Sequence, residues 1–331
     1  MEMLTLYAST GNPQVDNVLR GTIGILETLF PERIRAYYLH GSFADNTGIE
    51  TSDIDLFLVP KGSFTTEERE KMQRIMQCSA LLSPYMVELM AVDETSLLEQ
   101  GHFRIKSASR LLWGDDLRAS IPEQTLDQYL RMYARFPFIY ITHMLRNSPH
   151  AVSSLSYPQA AGEFYGYDQH LLPPGNEKKH NIKKLVTGVC WAATVLVAWD
   201  AGRTVEGKYS SIQMYKECVH DQWTSFVEEM YERGNRQWHY LVPQEPAARQ
   251  RLRELCAQTL AFEQYYLSRY KQYLLAELRK DNSHKLATVQ HLKNDIALDE
   301  ECIAALQAVH YDNNEELRRA VEDALQKAQV V

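Results

Sequence analysis

Residues 37–59 constrain the fold of this 331-residue chain more tightly than any other stretch. Two apolar runs, 34–39 and 53–59, read as β-strands; the first ends at Gly41 and Ser42, and after a ten-residue gap the second opens on Asp53, Ile54 and Asp55. Strand side chains alternate, so Asp53 and Asp55 share a face while Ile54 points to a core. Two carboxylates about 7 Å apart on one face repel unless a cation sits between them, and hard oxygen ligands suit Mg²⁺. A third run, 85–92, carries Glu88 among Met86, Val87, Leu89 and Met90. A lone carboxylate there is costly if buried, unless it completes the metal site or takes a proton from an attacking hydroxyl. Gly41 permits close approach of the backbone to a phosphate, and Ser42 can offer its N–H and hydroxyl at a helix start. Each acid alone has a plainer reading: Asp53 in a turn, Asp55 on a solvated face, Glu88 facing water from an edge strand. Their joint occurrence in a strand–turn–strand context favours the cation site.

Around this segment the first 118 residues alternate strand and helix patterns. Residues 65–82 read as a helix capped by Thr66, and 109–113 as a fourth strand ending at Gly114. The region is therefore α/β or α+β. After Pro122 the pattern becomes helical, with aromatic-rich helices expected over 125–145, 181–200, 211–231 and 247–278. Residues 150–176 read as a long loop, and 299–309 and 314–328 as two shorter helices, the second capped by the 312–314 cluster. The expected domains are 1–118, 119–280 and a small helical extension, 281–331.

The formal net charge of −8 argues against a wide basic surface gripping nucleic acid, and leaves room for a cationic small molecule or a metal–nucleotide complex. Most of the excess acid lies in residues 1–118. Five widely spaced cysteines read as reduced thiols, and the N-terminus has no signal-peptide pattern, so a cytoplasmic protein is expected. The longest apolar run, 185–199, is too short to cross a bilayer and reads as a buried helix. No membrane partner is expected, and the chain is expected to be a monomer or dimer. The scattered histidines make no zinc motif. His40, beside the Gly–Ser pair, could contact phosphate or pack at the strand end. The stripe Phe262, Tyr265, Tyr266, Tyr270 and Tyr273 follows helical spacing and reads as core. The basic cluster 178–184 reads as a solvated helix start that could face a triphosphate.

The Gly41-Ser42, Asp53/Asp55 and Glu88 pattern resembles that of the polymerase-β-type nucleotidyltransferase superfamily: G-S, nine to thirteen residues, D-h-D, then an acid in an h-[DE]-h strand. It is most similar to the bacterial aminoglycoside nucleotidyltransferases of the streptomycin/spectinomycin adenylyltransferase group, which share the ten-residue gap and a helical second domain. The likeness covers roughly residues 20–275 and is strongest over 37–92. It implies an α+β fold: an N-terminal catalytic domain with a small mixed β-sheet flanked by helices, then an all-helical C-terminal domain. It implies that Asp53 and Asp55 hold Mg²⁺, two ions with Glu88 nearby, that Gly41 and Ser42 grip ATP, and that Glu88 is the general base. Lys208 would reach the ATP phosphates, and Glu177 falls near a drug-binding acid of that group. The implied activity is transfer of AMP from ATP to a hydroxyl of a small molecule such as an aminoglycoside. A nucleotide second-messenger or oligonucleotide synthase, and a protein-AMPylating transferase, would use the same core. The chain departs from the group in three places: segments 97–106 and 170–176 lack its drug-side tryptophans, its phosphate-binding arginine falls near Gly188 with Lys183 and Lys184 close by, and 281–331 has no counterpart.

Overall fold

The computed structural model describes residues 4–83, 85–148, 155–171, 180–280, 283–310 and 314–329. Its N-terminal part is a four-stranded mixed sheet with helices on both faces. Helix α1 (Pro13–Leu29) starts at Asn12, whose side chain accepts from the Gln14 and Val15 N–H groups, with Pro13 fixing the first turn. Strands β1 (Ile34–His40) and β2 (Ile54–Pro60) follow, then α2 (Thr66–Leu82), β3 (Val87–Ala91), α3 (Glu94–Gln100), α4 (Phe103–Ser107) and β4 (Arg110–Gly114). The cap of α2 is Thr65 rather than Thr66. Its hydroxyl accepts from the Glu68 N–H at 3.2 Å, and the Glu68 carboxylate accepts from the Thr65 N–H at 2.7 Å.

The strand order is β3-β2-β1-β4, with β1 antiparallel to β2 and β4, and β2 parallel to β3. Alternation along β2 divides the sheet cleanly. Ile54, Leu56 and Leu58 join α1 and α2 in one core, while Phe57 and Val59 join Leu97, Ile105 and Leu117 in another. Asp55 belongs to the second face, at the end of the strand. The buried tyrosines of β1 satisfy their polar tips: Tyr37 donates to Glu27 at 2.8 Å, and the Tyr38 oxygen accepts from the Leu117 N–H at 2.7 Å. All four strands fall where the sequence patterns put them, within two residues. Helices α1, α3 and α4 do not appear in that reading.

From residue 126 onward the described residues are mainly helical, with a turn-rich stretch over 155–169 and a short two-stranded pairing of His170–Leu171 with His180–Asn181. The 125–145 segment is not one helix. It splits into α5 (Leu126–Tyr133), α6 (Phe136–Ile139) and a π turn, Tyr140–Met144. Pro137 causes the break, since it lacks an N–H and its ring collides with the preceding turn. Helix α7 (Lys183–Ala201) is long and apolar enough to cross a membrane by length and composition, but 72% of its most apolar window is buried among the other helices. The expected 211–231 helix is also two: α8 (Lys208–Cys218) and α9 (Thr224–Tyr231), separated where His220 takes φ +50°. Helix α10 (Pro246–Arg279) runs for 34 residues.

Three further helices, α11 (Lys285–Asp295), α12 (Glu300–Gln307) and α13 (Glu315–Gln329), close the chain. Helix α11 was absent from the sequence reading. Val289, Leu292, Leu306, Leu317 and Val321 join the same apolar core as α5, α7 and α10. An ion pair reinforces the join: Arg135 donates to both oxygens of Asp295, at 2.7 and 2.8 Å, and Tyr270 donates to the same carboxylate at 3.0 Å. The Asp295 side chain is 1% exposed. Replacing Arg135 by alanine leaves that buried carboxylate without its permanent cation, with Tyr270 and His291 beside it, so thermal and urea melts are expected to show a loss of about 3 kcal/mol.

Candidate active site

The site forms where β1 ends and β2 and β3 begin. Sheet register sets three side chains in a row, with His40 opposite Asp55 and Asp55 opposite Glu88. Asp53 precedes the strand on the same face. Carboxylate oxygens of Asp53, Asp55 and Glu88 lie within 4.8 Å of one another, a spacing at which a metal ion could be held. The two acids picked out by alternation and the lone acid of the third strand thus lie together, because β3 pairs with β2.

Their electrostatics follow from crowding. Burial pushes Asp55 well above the usual carboxylate range, and the charges of Asp53 and Glu88 push it further. Glu88 is also raised, first by burial and then by Asp53, with Lys183, Lys208 and a hydrogen bond with Asp55 opposing. Asp53 goes the other way. Burial would raise it, but Lys183 and then Lys208 overcome that and hold it below its ordinary value. The crowding therefore falls on Asp55 and Glu88, while the lysines favour the charged form of Asp53.

Two cations come from the helical part. Lys183, the first residue of α7, places Nζ 3.1 Å from Asp53 Oδ2 and 3.1 Å from the Thr51 carbonyl oxygen. Lys208 is the first residue of α8 rather than a turn residue, and its Nζ donates to Thr187 Oγ1 at 3.2 Å. Burial works against the Lys208 charge, but the Tyr240 hydroxyl and Asp53 raise its pKa. Both ammonium groups sit over the Tyr240 ring, at 6.0 and 5.8 Å. A further tie crosses the junction, Thr51 Oγ1 donating to the His239 carbonyl at 2.9 Å. Of the two lysines near the expected arginine position, Lys183 therefore reaches the acids. Gly188 instead packs against Tyr140, where an added Cβ would lie 3.3 Å from the tyrosine Cβ.

Gly41 and Ser42 open a short 3₁₀ turn, Gly41–Phe43. Gly41 has φ +70°, and a Cβ there would fall 2.1 Å from Asp55 Oδ2. Glycine is needed to seat Asp55, in addition to any approach to phosphate. Gly41→Ala is expected to cost about 1–3 kcal/mol in a thermal melt and to displace the Asp55 carboxylate, with loss of turnover. A cavity of about 350 Å³ opens beside this turn, between Gly41, Asp45, Ser109 and Arg110 on one side and Gly207 and Tyr209 on the other. Ser42 adjoins it in the same turn. His40 packs rather than reaching outward: its ring stacks 3.9 Å from Phe57, and burial holds its pKa well below the usual histidine value. Glu177 lies outside the described residues.

Residues 24–114, which include the Gly–Ser turn and all three acids, match the family described as polymerase beta, nucleotidyltransferase. Those residues match as a polymerase-β-type nucleotidyltransferase domain. No curated protein matches the sequence as a relative. Among solved structures, spectinomycin adenyltransferase AAD(9) from Enterococcus faecialis, determined with ATP and spectinomycin, aligns with 75% of this chain and 99% of its own at 10% identity and a TM-score of 0.46. A toxin–antitoxin structure with AMP-PNP aligns with 35% of this chain and 90% of its own at 20% identity and a TM-score of 0.24. Outside that stretch, sequence reasoning did not reach Tyr240, whose ring lies under both lysines, or Tyr140, which packs on Gly188. Tyr240 follows His239 in a left-handed turn, φ +65° and +48°, for which no glycine gave a signal.

Proposed function

We propose that the protein is a nucleotidyltransferase that moves AMP from ATP to a hydroxyl of a small molecule. The observation that carries this reading is the convergence of Asp53, Asp55 and Glu88 on one sheet face, opposite two lysines supplied by a second domain. The lysines offset Asp53, yet Asp55 and Glu88 stay crowded, a cost that a purely structural role does not explain.

The hard oxygen set, with Asp55 crowded by two like charges, fits a divalent ion such as Mg²⁺. Asp53, Asp55 and Glu88 are the residues that would hold it, and when bound it draws charge off phosphate oxygens. The chain's own groups do the rest. Lys208 and Lys183 meet the triphosphate from the helical side, and the Gly41–Ser42 turn meets it from the sheet side. Glu88 takes the acceptor proton as the hydroxyl oxygen forms its bond to the α-phosphorus. The bond from that phosphorus to the bridging oxygen breaks, and pyrophosphate leaves with the electron pair.

The test is incubation with Mg²⁺, each nucleoside triphosphate and a panel of hydroxyl compounds that includes aminoglycosides, followed by mass spectrometry. A gain of one nucleotide on a small molecule, absent in Asp53→Asn, is the expected result. Nucleotides joined to each other, or label on protein, would replace the small-molecule acceptor with one of the other users of this core. Full product from Asp53→Asn would sink the transferase reading.

A further inference from the structure

We propose that the cavity beside Gly41 holds the ribose of the nucleoside triphosphate, and that Asp45 and Glu206 select a ribonucleotide by accepting from its 2′- and 3′-hydroxyls. This rests on the transfer reading above and names a sugar discrimination that it leaves open. The two acids line the cavity from opposite sides. Asp45 stands on the sheet side, its N–H donating to the Gly41 carbonyl at 3.2 Å. Its Oδ1 accepts from the Thr47 N–H at 2.9 Å and from the Thr47 hydroxyl at 2.5 Å, which leaves Oδ2 without a hydrogen-bond partner among the described residues. Glu206 stands on the helical side, next to Gly207, where an added Cβ would fall 2.9 Å from Asp45 Oδ2. It is exposed and makes no hydrogen bond or ion pair with any described residue.

Sheet topology decides which reactant the cavity serves. His40, Asp55 and Glu88 form a row across β1, β2 and β3, whereas the cavity is walled by Gly41, just after β1, and by Ser109 and Arg110, where β4 begins. With the order β3-β2-β1-β4 and about 4.8 Å between strands, Glu88 lies about 14 Å from the β4 wall. An acceptor hydroxyl has to meet Glu88, so it enters on the β3 side and leaves the β4 side to the nucleotide. Gly41 joins cavity to chemistry, since a Cβ there would fall 2.1 Å from Asp55 Oδ2. Charge then sorts the two ends of the nucleotide. Neither Lys183 nor Lys208 lines the cavity; their Nζ atoms meet Asp53 and Thr187. The cation that does line it, Arg110, donates to the Ser9 carbonyl at 3.4 Å. Free carboxylates repel a pyrophosphate but accept from hydroxyls, so the phosphates go with the lysines and the uncharged nucleoside with the acids. Ribose is the first group beyond the α-phosphate, and an acid accepting from its hydroxyls is a recurrent arrangement in nucleotide sites. The base beyond it meets the ring of Tyr209, which lines the same wall and is 38% exposed.

The experiment needs no acceptor. Calorimetry measures binding of ATP, 2′-dATP, 3′-dATP and inorganic tripolyphosphate, each with Mg²⁺, to wild type, Asp45→Asn and Glu206→Gln. Glu206→Gln breaks no bond of the fold and Asp45→Asn keeps an acceptor for Thr47, so melting curves should match wild type. The expected result is ATP bound at least about tenfold more tightly than one of the deoxynucleotides. That ratio should fall below about threefold in at least one variant, with tripolyphosphate binding unchanged. Equal affinity of wild type for ATP and both deoxynucleotides would overturn the ribose subsite and leave the transfer reading intact. So would a preference for ATP that survives in both variants. Tighter tripolyphosphate binding in the variants would overturn it too, by setting the acids beside the phosphates. Absence of any ATP binding would overturn the transfer reading itself, and the subsite with it.

Discussion

Replacing Asp55 by asparagine is expected to lower nucleotidyl transfer by about a thousandfold while the metal-free protein melts no lower than wild type. The two halves of this result have one cause. Asp55 is the most crowded of the three acids, pushed up by burial and by both neighbouring carboxylates. In the unloaded protein it holds a proton that the unfolded chain would not hold at the same pH. Between the ordinary carboxylate pKa and this raised one, the native state binds more protons than the unfolded state, so stability falls as pH rises through that window. Asparagine removes that penalty and the slope with it. It also removes an oxygen anion from the set that would bind Mg²⁺. Melting curves in EDTA and in Mg²⁺, at pH 5 and pH 8, check both halves. Wild type should gain from Mg²⁺ mainly at the higher pH, and Asp55→Asn should gain little at either. A variant that keeps full activity would place the chemistry elsewhere.

The second large effect belongs to Glu88. Glu88→Gln is expected to reduce kcat by about 10²–10⁴-fold with little change in the KM for ATP, because a base acts in the transition state and not on the bound nucleotide. Burial and the Asp53 charge raise Glu88, so the wild-type rate should fall as pH drops through a value above the ordinary glutamate range. The glutamine variant should lack that limb of the profile. Steady-state rates from pH 5 to 9 decide the matter. An unchanged acidic limb in Glu88→Gln would assign the proton to another group.

The legibility of this site in the sequence follows the range of the forces involved. Asp53, Asp55 and Glu88 are readable because strand alternation is a local rule, and a carboxylate among Val87, Leu89 and Met90 contradicts its surroundings. The sheet was readable for the same reason. Lys208 came from family resemblance alone, since nothing near it in sequence distinguishes it from a surface lysine. The structure then turns it into the first residue of α8, buried against Thr187 and Tyr240. Helix α1 carried a signal that went unused: Asn12 and Pro13 mark a start, and Val15, Leu19, Ile23 and Leu26 repeat at helical spacing. The split at Pro137 was likewise written in the residue itself.

The bond from Lys183 to Asp53 and to the Thr51 carbonyl has a consequence for the working cycle. Within the cleft, Lys183 and Lys208, from the helical part of the fold, offset the charge of Asp53. An arriving metal–triphosphate would bring positive charge to the carboxylates and negative charge to the lysines, so each partner exchanges one counter-ion for another. Loading would then proceed as a swap at nearly constant local charge. Departure of pyrophosphate would return the lysines to Asp53, the pairing from which the next nucleotide starts.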